Sequence, residues 1–458
     1  MLNAPQMPLS SRLATSGVAF VHLPLLLAVA CGHTTPSELP DAAASSDAAA
    51  VDAPAGDGFT FVGEAAAPCP LSPSQCQNDW PTTGTITQWT SSERFGDRVH
   101  ERTAWLYRPP GTGGRPLPLL IVLHGGNGNG ASMFARRFDE LASGQGVSWR
   151  RATTTCTFSY PDGFEDASGN PCLGDVVSYA GAEPFALLFP DGVESSSTNI
   201  PGARHWEDGR TPSPGQLTDD AVRDDVGFIA HLVDRAITQP GSFDAERIYL
   251  DGWSNGGMMT ARVLCEREQP GRNPLRAIAG AVIGIAGIPA NLYDGTAGRI
   301  TCPRIGTTPP AMYVQVGRGI ATPDCEPFPC TTPSTDGDGI MPFGAPGEQH
   351  RVASPDRGFV QSVPDTIALL RGLLAAGYGA DAPAAQTMIG THTVQRTTTF
   401  GGDAVELRVL VTEGGAHQTA GTRGEFASEP RQWQFLAGFR RSATGVVRRA
   451  GSFVTGTY

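Results

Sequence analysis

Six stretches of the chain carry apolar or β-branched residues densely enough to form strands: 118–123, 185–189, 247–250, 278–285, 311–316 and 405–411. The run Leu119-Leu120-Ile121-Val122-Leu123 is apolar without a break, as a strand buried on both faces must be. Residues 405–411 alternate instead, with Val405, Leu407, Val409 and Val411 on one side. Between these lie segments of helical character, 132–143, 224–237, 254–267, 363–376 and 430–441. Strand and helix in alternation predict the α/β class, with a mostly parallel central sheet and helices on both faces. No internal repeat interrupts that order. Residues 145–183 form an insertion between two core elements that contains Cys156 and Cys172. Inserted segments of that length serve as lids or binding loops.

The two ends of the pattern differ from the middle. Arg12 followed by the mostly apolar stretch from Leu13 to Ala30 reads as an export signal over residues 1–31. Ala28-Val29-Ala30-Cys31 resembles a lipobox, which makes Cys31 a candidate for lipidation and membrane anchoring. Simple secretion, or an uncleaved anchor, is the alternative. Residues 32–66 are rich in Ala, Asp, Ser and Pro and hold six acidic residues but no basic one. Such a segment cannot bury enough apolar surface to fold and is expected to be a flexible tether. Residues 67–458 then form the catalytic domain, at the cell envelope or secreted.

Charge narrows the partners. The formal net charge is -12, part of which belongs to the tether. An acidic chain is a poor binder of nucleic acid. All 33 residues in the Lys-plus-Arg count are arginine. That excludes a Walker-type phosphate loop, a Schiff-base enzyme and a Ser-Lys dyad, each of which needs a lysine. Nine cysteines fit export. With Cys31 set aside, eight remain, and pairing neighbours gives 69–76, 156–172, 265–302 and 325–330. No cysteine or histidine spacing suits a metal, so neither a metal nor a cofactor is expected.

The chemistry is concentrated at Gly252-Trp253-Ser254-Asn255-Gly256. A strand precedes it and a helix follows, the context a G-x-S-x-G nucleophile elbow requires. Ser254 is the candidate nucleophile, and the helix start aims free amides at the reacting carbonyl. The strand at 118–123 ends in His124-Gly125-Gly126, a loop type that supplies the second oxyanion amide. Asn255 and Gly126 are therefore the oxyanion donors. The strand at 405–411 leads to Gly414-Gly415-Ala416-His417, which makes His417 the general base. The order serine, acid, histidine then places the acid after residues 311–316, where Asp324, Asp336 and Asp338 stand open. Other residues have plainer roles. His124 shapes its loop, Met258 and Met259 pack, Asp365 caps a helix, and Asp224 and Asp225 favour a helix N-terminus. Trp206 and Trp253 are either pocket walls for the substrate or packing.

The segment around Ser-Asn-Gly-Gly-Met-Met, together with Asp224-Asp225-Val226-Gly227-Phe228, Trp206 and Gly-Gly-Ala-His417, resembles the secreted esterase family of polyhydroxybutyrate depolymerases and feruloyl or acetylxylan esterases. The likeness covers residues 100–440 in patches. It implies the α/β-hydrolase fold, no cofactor, and a small or polymeric ester as substrate. The similarity of Asp338-Gly339-Ile340-Met341-Pro342-Phe343 to that family's Asp-x-x-Val-Pro-Tyr segment implies Asp338 as the acid. Where the family has His-Gly-Thr-x-Asp, this chain has Val316-Gly317-Arg318-Gly319. Two further classes stay open: a serine peptidase of the same fold, and a non-catalytic surface binding protein.

Overall fold

A computed structural model describes residues 58–449 apart from 71–75, 78–80, 82, 96–97, 137–149, 152–153, 160–162, 167–182, 195–203, 211–223, 240, 290–291, 294–298, 301–307, 319–348, 352–358, 390–391, 414–416 and 418–427. Cys31 and the rest of the expected signal, Asp324, Asp336, Asp338, Cys172, Cys302, Cys325 and Cys330 all lie outside the described residues.

One large sheet organises the chain. Its strands are β1 (Gly58–Ala66), β2 (Thr85–Phe95), β3 (Arg98–Arg108), β4 (Leu117–Leu123), β5 (Ala186–Pro190), β6 (Phe243–Trp253), β7 (Ile278–Gly284), β8 (Ala311–Arg318), β9 (Ala385–Ile389), β10 (Thr393–Phe400) and β11 (Val405–Glu413). They lie side by side as β1-β2-β3-β5-β4-β6-β7-β8-β11-β10-β9. The six strands from β5 through β11 are mutually parallel. Antiparallel strands extend both edges. Among the described residues four α-helices accompany them: α1 (Asp225–Thr238), α2 (Asn255–Glu266), α3 (Val363–Tyr378) and α4 (Ser428–Leu436). Here α1 and α2 pack on the middle of the sheet, α3 on β10 and β11, and α4 on β7 and β8. The exchanged order of β4 and β5, the strand–elbow–helix at β6 and α2, and a histidine loop after the last parallel strand make this an α/β-hydrolase fold.

The middle strands are apolar because helices cover them. Every residue of β4 and of β7 is buried. Each large side chain so buried stabilises the fold by about 2 kcal/mol. Carbonyl-end loops of these parallel strands therefore stand on the most rigid part of the molecule, where ligands bind in open α/β sheets.

Three expectations change. Residues 58–66, the end of the expected tether, form the edge strand β1 paired with β2. Phe59 and Phe61 alternate there, stacking on His231 and meeting Trp89 edge-on, so this short piece does bury apolar surface. Of the helix expected at 132–143, the described part is a short 3-10 helix, Ala131–Arg136, and residues 137–143 lie outside the described residues. The helix expected at 430–441 stops at Leu436, where Gly438 N–H closes on Phe435 O, and Phe439–Ser442 turns into a hairpin with Gly445–Arg448.

Cys69 and Cys76 are joined as their spacing suggested. Cys265 is also disulfide-bonded, its other half lying outside the described residues. In the insertion, Cys156 sits on a strand, Thr154–Ser159, paired with Gly163–Asp166.

Candidate active site

At the end of β6 the chain reverses into α2 within a single residue. Ser254 takes φ 54° and ψ -118°, a conformation that costs a side-chain-bearing residue energy. The surroundings compel it. Ser254 N–H donates to Gly284 O at 2.9 Å, and Ser254 O accepts from Met258 N–H at 2.9 Å as the first bond of the helix. Gly252 and Gly256 are glycine because the reversal brings backbone too close for a Cβ. One on Gly252 would meet the Gly256 carbonyl, and one on Gly256 the Leu123 carbonyl. The result is a half-buried hydroxyl at the head of a helix.

Opposite stands the loop after β4. His124 is fully buried, and burial pulls its pKa below the ordinary histidine range. Its Nε2 accepts from Gly192 N–H at 3.0 Å, so the proton is on Nδ1, which donates to Gly125 O at 2.8 Å. Gly125 O also accepts from Gly128 N–H at 3.1 Å. With that carbonyl turned into the loop, the trans peptide points Gly126 N–H the other way. The loop borders the elbow: positions for a Cβ on Gly125 and Gly126 fall 3.7 Å from the Cβ atoms of Ser254 and Asn255 respectively. Asn127 N–H is already taken by Arg204 O at 3.0 Å. At the other donor position, the Asn255 amide begins α2 and so has no acceptor within the helix. His124 thus has the loop-shaping role expected of it.

The Asn255 side chain is held on three sides. Its Oδ1 accepts from Trp206 N–H at 2.7 Å, and its Nδ2 donates to Trp206 O at 3.0 Å and to Asp208 Oδ2 at 2.6 Å. Asp208 is in turn held by Arg210 at 2.8 Å. This clamp fixes the first residue of α2 against the 205–210 segment. The segment itself hangs from α1: Asp225 accepts from Glu207 N–H at 2.7 Å and from the buried Arg102 at 2.5 Å. Arg102 also reaches Glu93 at 3.0 Å. Asp224 caps α1 through Gly227 N–H and pairs with Arg272. The expected dipole role of Asp224 and Asp225 is therefore joined by a structural one. Glu207 sits beside Asp208 with little solvent, and burial pushes its carboxyl up to about 7.

His417 arrives from the loop after β11, its Nε2 2.9 Å from Ser254 Oγ. That pair, the two loop glycines and the Asn255 amide are brought together at one point. The acid expected at Asp338 falls outside the described residues, as do Asp324 and Asp336.

Of the two roles open to the tryptophans, pocket wall or packing, both show the packing one. Trp206 is 3% exposed, its indole N–H donates to His124 O at 2.9 Å, and its ring packs on the His124 ring. Trp253 is 2% exposed and lies over Gly284, where a Cβ would be 2.8 Å from the indole. Both brace the elbow from within. A residue overlooked in the sequence takes the exposed place. His205 is half-buried, donates from Nε2 to Asn127 Oδ1 at 2.8 Å, and sets its Cε1 3.1 Å from the position a Cβ on Gly126 would take. It walls the oxyanion loop. Its only signal was its place next to Trp206.

Neither a protein-family model nor a curated protein matches the chain. Among solved structures, it is similar to an acetyl xylan esterase from Aspergillus awamori, at 15% identity and TM-score 0.39, over 73% of this chain and 94% of that one. It is also similar to an ester hydrolase from the metagenome of Lake Arreo, at 14% identity and TM-score 0.37, over 78% and 82%. A cold-adapted esterase from an Arctic intertidal metagenomic library is similar at 12% identity and TM-score 0.33, over 76% and 94%.

Proposed function

We propose that the protein is a serine ester hydrolase working through an acyl-enzyme on Ser254. One observation carries the reading: Ser254 Oγ, on a strained elbow beside two loop glycines, lies 2.9 Å from His417 Nε2. His417 Nε2 removes the hydroxyl proton as Ser254 Oγ attacks the ester carbonyl carbon. Negative charge collects on the carbonyl oxygen, where the Asn255 and Gly126 amides hold it. Each such donor contributes about 3 kcal/mol. His417 returns the proton to the departing alcohol oxygen. Water, deprotonated by His417, then releases the acid and restores Ser254. Asp338 is the proposed partner of the His417 Nδ1, with Asp336 and Asp324 next in line.

The finer reading rests on the sequence motifs: a polyester or plant-polymer ester as substrate, and export with lipid attachment at Cys31. The test is hydrolysis of short-chain p-nitrophenyl esters, feruloyl esters and hydroxybutyrate oligomers by the folded chain beside Ser254→Ala. Activity lost in the variant establishes the esterase, and the preferred ester names the class. An active Ser254→Ala refutes the mechanism. A wild type inert on every ester but cleaving peptides makes it a peptidase.

A further inference from the structure

Far from Ser254, at the other end of α2, two arginines are buried together. Arg267, the C-cap of α2, is 1% exposed, and Arg441, on the hairpin after α4, is 8% exposed. Both donate to one oxygen, Thr308 O: Arg267 Nη2 at 3.0 Å and Arg441 Nη1 at 2.8 Å. Arg441 Nε goes to Ile278 O at 3.0 Å. That leaves Arg267 Nη1 and Arg441 Nη2 fully buried without a hydrogen-bond partner. The Tyr378 hydroxyl gives no relief, since it donates to Pro309 O and accepts from Val446 N–H.

The charges do not balance either. Among the described residues the carboxylate in reach is that of Glu268, which lies 3.3 Å from Arg267 Nε and is shared with Arg276 at 2.7 Å. Three guanidinium groups thus face one carboxylate, and Arg441 has no acidic partner of its own. Burial depresses both groups, Arg267 to about 10 with added repulsion from Arg276, and Arg441 to about 9 with added repulsion from Arg267. A guanidinium keeps its proton at neutral pH even so. Two like charges with unmet N–H groups in a low dielectric are costly unless an opposite charge joins them.

We infer that Arg267 and Arg441 together hold a small inorganic anion, chloride or one of similar size, between Arg267 Nη1 and Arg441 Nη2. The anion closes the contact between the end of α2, the start of β8 and the 439–448 hairpin. It is bound by the native state alone, so it stabilises the fold in proportion to its occupancy.

The experiment is thermal unfolding of the whole protein at constant ionic strength, with gluconate replaced stepwise by chloride or bromide. The expected result is a saturable rise of about 2–5 °C in the wild type that is absent in Arg441→Met. An identical anion dependence in both proteins, or a linear unsaturating one, overturns the proposal as a general salt effect. So does no dependence at all, which would place water there. Should Arg441→Met fail to fold, crystals of the wild type in bromide decide. An anomalous peak between the two guanidinium groups supports the site, and its absence removes it.

Discussion

The proposed nucleophile and the histidine that meets it are carried by different parts of the sheet. Ser254 stands between β4, β6 and β7, at the centre of the sheet, with its backbone tied to β7 and to α2 and its successor Asn255 clamped by three hydrogen bonds. His417 hangs half-buried from a loop after β11, the last parallel strand, beyond which only antiparallel edge strands follow. The contrast follows from what each must do. The serine has to be kept in an unfavourable backbone conformation, which only redundant packing can enforce. The histidine has to be aimed, and one hydrogen bond on each side of its ring is enough.

The largest effect should come from removing the proposed base. His417→Ala is expected to lower kcat by on the order of 10⁵-fold or more, matching Ser254→Ala, with the unfolding midpoint barely moved. Steady-state kinetics beside a thermal melt checks both halves. A residual rate within a hundredfold of wild type would mean that another group takes the proton. Next is the choice of acid. One substitution among Asp338→Asn, Asp336→Asn and Asp324→Asn should cost roughly 10⁴-fold in kcat and the other two little. Three near-normal variants would dismiss this loop as the source of the acid.

The clamp on the rigid side sharpens the contrast at a smaller scale. Asn255→Ala keeps the amide donor but releases it from Trp206 and Asp208. A loss of about 10–100-fold in kcat with KM nearly constant is expected, as for a misplaced transition-state contact. Unchanged kcat would show that the helix start positions itself. The smallest effect is on stability. Glu207 has a carboxyl raised to about 7 in the folded chain, against an ordinary value of 4.5. The folded state therefore binds the proton more tightly than the unfolded state does. Its stabilisation is complete below about pH 4.5 and lost as pH rises to about 7, by about 1–3 kcal/mol. Chemical denaturation across that range should show the decline in wild type and a flatter curve in Glu207→Gln. Parallel curves would remove Glu207 as the cause.

Much of the rigid side could be read from residues adjacent in sequence. Gly252 and Gly256 bracket Ser254 because the same reversal excludes a Cβ at both, so the motif carries its own geometry. The unbroken apolar run before His124 marks a strand buried on both faces. The antiparallel flanks were missed for a related reason. Strands β2 and β3 carry polar runs, residues 90–94 and 100–103, in which even the buried Ser91, Glu93 and Arg102 are polar, and their apolar signal is diluted. Phe59 and Phe61 were hidden within an acidic stretch in the same way. The clamp was illegible because its members, Asp208 and Asn255, are 47 residues apart and meet only across the sheet's carboxyl edge. The sequence left Trp206 and Trp253 open between pocket wall and packing, because an aromatic beside a serine elbow suits either; here both fill the strained turn from behind.

The span between Ser254 and His417 also sets a clock on activity. The two residues are 163 positions apart, with α2, β7, β8, α3, β9, β10 and β11 between them. A chain emerging from the ribosome, or crossing a membrane unfolded, presents the serine long before it possesses the base. No fragment ending short of residue 417 can hydrolyse an ester by this route, so the activity comes on only when the sheet has closed around its last parallel strand. Proteolytic nicking in the loop after β11 would end it just as abruptly, while leaving the elbow intact.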